Sequence, residues 1–249
     1  MSGKTDTNLA PGYGIPMDLV GHWTFWSVRD EIRSDVELDS PELESITGLF
    51  LGFGSGDRKK WAERLPHLTR LKYLVSWTGY NPQSFFDAVA RMTWLERLCF
   101  GRLRANDISG LRNLTDLQYL CIHQLSAPTT LRPVATLRKL RALELGLNDK
   151  IRDFADFVPN DNDLVSLRSL ILYANKARIA VPSLRSLQAL RSLEYLFTPT
   201  VNPADGDLAC LGSLPRLKVV HVAKSWLDSE VKLLTDKGIA VERDVRFPG

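Results

Sequence analysis

Three residue types that support catalysis or metal binding lie close together in the middle of the chain. Cys121 and His123 are separated by one residue, Cys99 precedes Cys121 by 22 residues, and Glu144 follows it by 23 residues. If these intervals are the period of a repeating structure, the four side chains meet on neighbouring strands. A thiol, an imidazole and a carboxylate within reach of one another could act as nucleophile, base and orienting group, or as three metal ligands.

The same spacing also limits this chemistry. Side chains two residues apart on one strand are separated by about 6.5 to 7 Å at the backbone, and no loop that would donate hydrogen bonds to an oxyanion is evident. The alternative is that Cys99 and Cys121 are small residues packed beneath aromatic neighbours. We therefore predict no catalytic residue, with Cys121, His123 and Glu144 as the candidates if there is one, and neither a metal nor a cofactor.

The intervals between these residues belong to a repeat that runs through most of the chain. In the stretch from Leu111 to Ile122, leucines recur at steps of three before the step shortens to two. This arrangement returns several times, and we use the first apolar residue of each predicted strand as its marker. The markers are Leu49, Leu74, Leu98, Leu120, Leu143, Leu170, Leu196 and Val220, with spacings of 25, 24, 22, 23, 27, 26 and 24 residues by subtraction.

The repeated Leu-x-x-Leu-x-Leu pattern resembles the leucine-rich repeat superfamily from about Ile46 to the C-terminus. The resemblance implies a curved α/β solenoid of about eight repeats, with a parallel sheet on the concave face, helices and short turns on the convex face, and caps at both ends. Each repeat is too small to enclose its own apolar residues, so leucines of successive repeats must stack. The expected divisions are a tail and cap in residues 1–45, repeats in 46–226 and a C-terminal cap in 227–249.

One position departs from the pattern of this superfamily. Many members carry an asparagine five residues beyond the marker, where its side chain satisfies backbone groups in the turn. Here Asn148 and Asn175 occupy that position, whereas Leu103, Leu125 and Val201 are among the residues that replace it elsewhere. We therefore expect no regular asparagine ladder.

The connections between strands are predicted to change along the chain. Residues 57–65 have a helical pattern, and apolar residues from Phe85 to Met92 recur at helical spacing. In contrast, residues 105–110 and 126–133 are short and contain turn residues, which indicates single turns or 3₁₀ segments.

Apolar segments also flank the repeats. Residues 19–38 contain tryptophans and other apolar residues that predict a short pair of capping strands, with a ligand-binding aromatic box as the alternative. After the last marker, a helix is expected to begin near Asp228 and to end at Gly238, with Leu227, Val231 and Leu234 facing inward.

The composition restricts the class of protein. Apolar residues make up 44% and charged residues 24% of the chain, as in soluble proteins with a sizeable core. Lys and Arg number 32 against 29 Asp and Glu and are scattered, which gives no support to nucleic-acid binding. Three cysteines without disulfide or zinc spacing favour a reducing compartment. With no membrane-length apolar run and no signal-like N-terminus, we expect a cytoplasmic protein that does not bind membranes.

Residues that alternate with the core leucines are expected to lie on the concave face. They are rich in Tyr, Phe and Trp, which are enriched at protein-binding hot spots. The alternative is that loops or the N-terminal segment cover them. The residues expected to contact another protein are Phe50, Tyr73, Trp77, Tyr119, His123, Glu144, Tyr173, Tyr195, Phe197 and His221.

These observations predict a non-enzymatic protein-binding module, for example an inhibitor, an immunity-type protein or an adaptor. One alternative is an enzyme that uses the Cys/His/Glu group on the concave sheet. The other is a structural subunit of an assembly. The sequence leaves the oligomeric state open.

Overall fold

The computed structural model describes residues 9–10, 15–16, 32–34, 36–52, 57–77, 79–126, 130–148, 154–156, 158, 163–174, 179–223 and 225–243. Most of the predicted N-terminal capping segment, and Asn175, therefore lie outside the described residues. The strands are β1 (Leu9–Ala10), β2 (Ile15–Pro16), β3 (Ile32–Arg33), β4 (Gly48–Leu51), β5 (Tyr73–Ser76), β6 (Asn81–Pro82), β7 (Arg97–Arg104), β8 (Tyr119–Leu125), β9 (Ala142–Leu147), β10 (Ser169–Ala174), β11 (Ile179–Val181), β12 (Tyr195–Thr198), β13 (Val201–Pro203), β14 (Val219–Val222) and β15 (Ala240–Glu242). The helices are α1 (Arg58–Arg64), α2 (Gln83–Val89) and α3 (Asp228–Thr235).

One long sheet contains most of these strands. Its order is β15-β14-β12-β10-β9-β8-β7-β5-β4-β3, with β6 pairing to the end of β7, and every pairing within it is parallel. Two further pairs stand apart from it among the described residues, β11 with β13 and β1 with β2. Successive strands therefore lie side by side and point the same way, as the repeat pattern predicts.

The register of this sheet matches the repeat markers. Leu49 pairs with Leu74, and the row of paired markers continues through every repeat to Val220. The marker leucines are all buried in one core between the sheet and the helices and turns. The predicted register is thus confirmed.

The geometry of the connections between strands explains why leucines recur at steps of three. The N–H groups of Leu111, Leu114 and Leu117 each donate a hydrogen bond of 3.0 Å to the carbonyl three residues earlier. This 3₁₀ geometry has three residues per turn and places side chains i and i+3 on the same side. All three leucines consequently enter the core, and the chain continues directly into the next strand.

The convex connections follow the predicted change along the chain. The helices α1 and α2 lie in the early connections, and Asp57 caps α1 by accepting a 2.8 Å hydrogen bond from the Lys59 N–H. Later connections contain 3₁₀ turns of five or three residues, such as Ser109–Asn113 and Leu211–Ser213. None of the helices in the described ranges is long and apolar enough to cross a membrane.

The positions that lack asparagine are part of the apolar core. Leu103, Leu125 and Val201 are fully buried, so these turns are held by packing in place of side-chain hydrogen bonds. Polar turn contacts do occur at Asn81, which is buried. Its Nδ2 donates to the carbonyl of Arg102 at 2.9 Å.

At the C-terminal end, α3 packs over the last repeat and β15 extends the sheet. Leu234 is buried and Gly238 has a φ of +80°, which confirms the inward face and the end of this helix. The prediction that Leu227 faces inward is wrong, because this residue precedes the first helical turn and is 62% exposed. Its N–H instead donates to the carboxylate of Glu230 at 3.0 Å.

Ion pairs link neighbouring repeats at the start of several strands. The buried Glu194 carboxylate accepts from Arg168 of the preceding repeat at 2.6 Å and from Lys218 of the following repeat at 2.7 Å. Hydrogen bonding to Arg168, followed by that to Lys218, lowers the pKa of Glu194 despite its burial. This carboxylate therefore joins three repeats.

We expect Glu194→Gln to reduce the loss of stability in acid. A carboxylate with a lowered pKa stabilises the fold above its unfolded pKa, and this stabilisation disappears as the pH falls through the folded pKa. The wild-type Tm should therefore drop more than that of the variant below about pH 4.5, the ordinary value. Circular dichroism melts from pH 7 to pH 3 measure this difference.

Glu96→Gln is the matched control, because the Glu96 carboxylate pairs with Lys72 at 2.7 Å but is more exposed than that of Glu194. Its Tm-against-pH curve should stay close to the wild type. Parallel curves for wild type and Glu194→Gln would contradict the assignment.

Candidate functional site

The face of the sheet that points away from the leucine core is called the opposite face below. Its side chains form rows that cross the strands because the register is uniform. In one row, Val75 pairs with Cys99, Cys99 with Cys121, and Cys121 with Glu144. The cysteines and the glutamate are therefore neighbours, as the repeat spacing predicts.

The next row alternates aromatic residues with glycines. It consists of Trp77, which directly follows β5, and of Gly101, His123, Gly146 and Tyr173 in β7, β8, β9 and β10. Alternate members are two strands apart, about 9.5 Å at the backbone. Because the glycines have no side chains, the rings meet above them, with ring centroids 4.4 Å apart for Trp77 and His123 and 6.0 Å apart for His123 and Tyr173.

Gly101 is needed for a second reason. A Cβ atom at this position would lie 1.9 Å from the carbonyl oxygen of Trp77, which is far inside van der Waals contact. Glycine therefore allows the chain after β5 to lie directly against β7. This contact fixes the backbone from which the Trp77 side chain projects.

A polar network connects these two rows with Tyr119, which lies in the row before them. The Tyr119 hydroxyl donates to Glu144 Oε2 at 3.2 Å, and the Tyr173 hydroxyl donates to Glu144 Oε1 at 3.5 Å. The Tyr173 oxygen also lies 2.5 Å from His123 Nδ1. His123 Nε2 points to the other side of the ring, 3.6 Å from Glu144 Oε1.

Burial and neighbouring groups shift the pKa values of Cys121 and His123. Burial raises the pKa of the Cys121 thiol well above its usual range, and a hydrogen bond with Cys99 adds to the effect. Burial alone would lower the pKa of His123, but Cys121 and Glu144 beside the ring raise the pKa to about 9. At neutral pH the Cys121 side chain is therefore a thiol, which is a weak nucleophile.

The residues predicted to contact a partner differ in accessibility. Trp77 is 42% exposed, and Phe50, Tyr73 and His123 are partly exposed. The others are buried, and their role as partner contacts stays a prediction. The buried residues are Tyr119, Glu144, Tyr173, Tyr195, Phe197 and His221.

An exposed cluster lies beside Trp77 and includes residues that were not predicted from the sequence. Tyr80 is 51% exposed, and the guanidinium carbons of Arg102 and Arg104 lie 5.6 Å and 5.4 Å from the centre of its ring. Both arginines belong to the exposed end of β7. We call Trp77, Tyr80, Arg102 and Arg104 the exposed aromatic-arginine cluster.

Two signals in the sequence identify what was missed. In β7 the period-two alternation of Leu98 and Phe100 breaks at Gly101, and Leu103 is the next core residue, which leaves Arg102 and Arg104 exposed on either side of it. Gly101 and Gly146 occupy the position two residues after Cys99 and Glu144, where the neighbouring repeats carry rings. Comparing equivalent positions across repeats would have revealed the aromatic-glycine row.

A possible ligand set for a metal ion also lies in this region. The thiols of Cys99 and Cys121 and one ring nitrogen of His123 are all within 4.8 Å of one another. These residues come from β7 and β8, whose pairing places the two thiols side by side.

The parallel sheet, stacked leucines and 3₁₀ turns define the chain as a leucine-rich repeat solenoid. Neither a protein-family model nor a curated protein sequence matches it. Among solved structures, an internalin from Listeria monocytogenes aligns with 82% of the chain at 20% identity and a TM-score of 0.52. An internalin C2 from the same species aligns with 73% at 18% identity and a TM-score of 0.51.

The chain spans 63% of the first internalin and 74% of the second. At this level of identity the likeness establishes the fold and nothing about the ligands of this chain. The predicted solenoid architecture is confirmed.

We expect the Cys121 thiol to react slowly with iodoacetamide in the native protein. The side chain is fully buried and its pKa is raised, so the thiolate is scarce and inaccessible. Peptide mass spectrometry of chelator-treated protein should show labelling at least about a hundredfold slower than for a free thiol. The same protein in urea, where all three cysteines should react alike, is the control. Rapid native labelling of Cys121 would instead favour the enzyme alternative.

Proposed function

We propose that this chain is a non-enzymatic protein-binding module that uses the concave side of its sheet. An inhibitor, an immunity-type protein and an adaptor are the roles that fit a solenoid of this kind. The observation that carries the proposal is the exposure of Trp77 on a face whose other large aromatic residues are mostly buried.

Trp77 has the properties of a binding anchor. Its indole is 42% exposed, while its ring packs edge-on against His123, whose other side is held by Tyr173. A ring held in place by neighbours loses little conformational freedom on binding, and tryptophan is among the residues most enriched at hot spots. Trp77 is therefore suited to fill a pocket on a partner.

The arginines beside Tyr80 indicate the charge of the partner surface. Arg102 and Arg104 are exposed and stack on Tyr80, so their guanidinium groups stay oriented and accessible to carboxylates. We propose that the partner presents an acidic rim around an apolar pocket. Arg97, which lies over the Tyr73 ring with its guanidinium carbon 5.2 Å from the ring centre, extends this arrangement toward the start of the strands.

The enzyme alternative has less support. Its nucleophile would be Cys121, which is buried and has a raised pKa, and its base would be His123, which is engaged by Tyr173. A buried thiol that stays protonated is a weak nucleophile, and a ring nitrogen already engaged by a hydroxyl group is a poor general base at neutral pH. The assembly alternative is separated from partner binding by the experiment below.

We expect Trp77→Ala to reduce partner capture by about thirtyfold or more, the effect of losing a hot spot of about 2 kcal/mol. Tagged wild type and variant would be compared by quantitative mass spectrometry of proteins retained from the native cell, followed by titration of the retained partner. The melting temperature should change little, because the side chain is exposed.

Leu233→Ala is the matched control, since Leu233 is a large apolar side chain, 50% exposed, on α3 at the other end of the solenoid. It should leave capture unchanged. Equal capture by wild type and Trp77→Ala would contradict the proposed surface. Light scattering of both proteins tests the third role, because a wild-type oligomer that Trp77→Ala dissociates would identify an assembly subunit instead.

A further inference from the structure

We propose that Cys99, Cys121 and His123 bind a zinc ion, with the Glu144 carboxylate in the fourth position. The sequence offered these residues as possible metal ligands but favoured no metal, because the cysteines are 22 residues apart and lack the short spacing of known zinc motifs. Strand pairing supplies the proximity, since Cys99 and Cys121 are directly paired on β7 and β8. This site adjoins the proposed partner surface, because the His123 ring packs against Trp77, and its test uses metal binding and not partner capture as the readout.

The distances fit a tetrahedral ion after small side-chain adjustments. With Zn–S bonds of about 2.3 Å and Zn–N bonds of about 2.0 to 2.1 Å, ligand atoms on one tetrahedral ion are separated by about 3.4 to 3.8 Å. The thiols and the ring nitrogen are within 4.8 Å of one another. Because 4.8 Å is longer than that separation, binding would draw the three side chains closer together.

The orientation of His123 favours coordination through Nε2. Its Nδ1 lies 2.5 Å from the Tyr173 hydroxyl oxygen, so Nδ1 keeps its proton as the donor to that oxygen, and the ion would take the place of the proton on Nε2. Histidine ligands of zinc commonly have their other ring nitrogen held in this way. Tyr173 therefore acts as a positioning residue for the ring.

Glu144 is outside the group of atoms that lie within 4.8 Å of one another, but it is next to His123, so a small movement of its carboxylate would complete the ligand set. Its Oε1 is 3.6 Å from His123 Nε2, too far for a hydrogen bond but close to the separation of two ligand atoms on one ion. Its Oε2 accepts a 3.2 Å hydrogen bond from Tyr119, which orients the carboxylate. His123 and Glu144, the two proposed ligands that are not thiols, are thus each oriented by a hydrogen bond with a tyrosine.

The chemistry of the ligands selects the metal. Two thiols and an imidazole suit zinc, whereas calcium and magnesium require oxygen ligands. Cys210, the third cysteine, is buried against the turn that follows Asp207 and is not part of this group.

Metal titration of the purified full chain tests the site. After treatment with a chelator, the folded protein should bind one equivalent of Zn²⁺ in competition with a chromophoric chelator. Co²⁺ in its place should produce the intense near-ultraviolet absorption of thiolate-to-cobalt charge transfer. Zinc at about 100 times its Kd should also raise the Tm.

Cys99→Ser and Cys121→Ser should each abolish the cobalt absorption, and His123→Gln should weaken zinc binding by at least about tenfold. Cys210→Ser is the matched control and should bind like the wild type. Circular dichroism confirms that each variant is folded. The proposal is overturned if the folded wild type binds no zinc, if Cys99→Ser and Cys121→Ser bind it unchanged, or if Cys210→Ser loses it.

Discussion

Stacking of one leucine row per repeat is the constraint on which the rest of this molecule depends. The marker residues from Leu49 to Val220 are paired in sequence across the sheet and buried together. A slip of one residue between two strands would turn core leucines toward the opposite face and polar residues toward the core. The free energy gained by burying these leucines therefore fixes the register of every strand. The register in turn fixes the position of each side chain on the opposite face.

That register explains how residues far apart in sequence form one group. Cys99, Cys121 and Glu144 occupy the same place in three repeats, and His123 follows in the next row. Glycine at alternate positions of this row then determines which rings can meet, so that an indole reaches an imidazole two strands away. The geometry of the candidate site thus follows from core packing and from Gly101 and Gly146, which leave room for the rings to meet.

The register, the early helices and the short later turns could be predicted from the sequence. Each of them depends on local spacing and on leucines that can be buried only in the core. Exposure on the opposite face could not be predicted. Whether Tyr119 or Trp77 is accessible depends on how neighbouring side chains pack over it, which the alternation along one strand does not specify. Leu227 was placed wrongly for a related reason, since helical spacing does not locate the first turn.

The direction of the His123 ring was also beyond sequence reasoning. Strand spacing places its backbone about 6.5 to 7 Å from that of Cys121, which suggests separation of the two functional groups. In the structure one ring nitrogen nevertheless lies within 4.8 Å of both thiols, while Tyr173 from another repeat holds Nδ1. A long-range hydrogen bond decides the ring orientation, and the sequence carries no local sign of it.

The centre and the C-terminal end of the opposite face differ in how well their buried polar groups are satisfied. On the central strands β8 to β10, Glu144 and two tyrosines bond to one another. On β12 and β14, the hydroxyl of Tyr195 and both ring nitrogens of His221 are buried without a hydrogen bond, although the Glu242 carboxylate is 3.2 Å from His221 Nδ1. Such groups cost about 1 to 3 kcal/mol each. The leucine stack must offset this cost, and we therefore expect defined recognition chemistry on the central strands, where hydrogen bonds and packing agree.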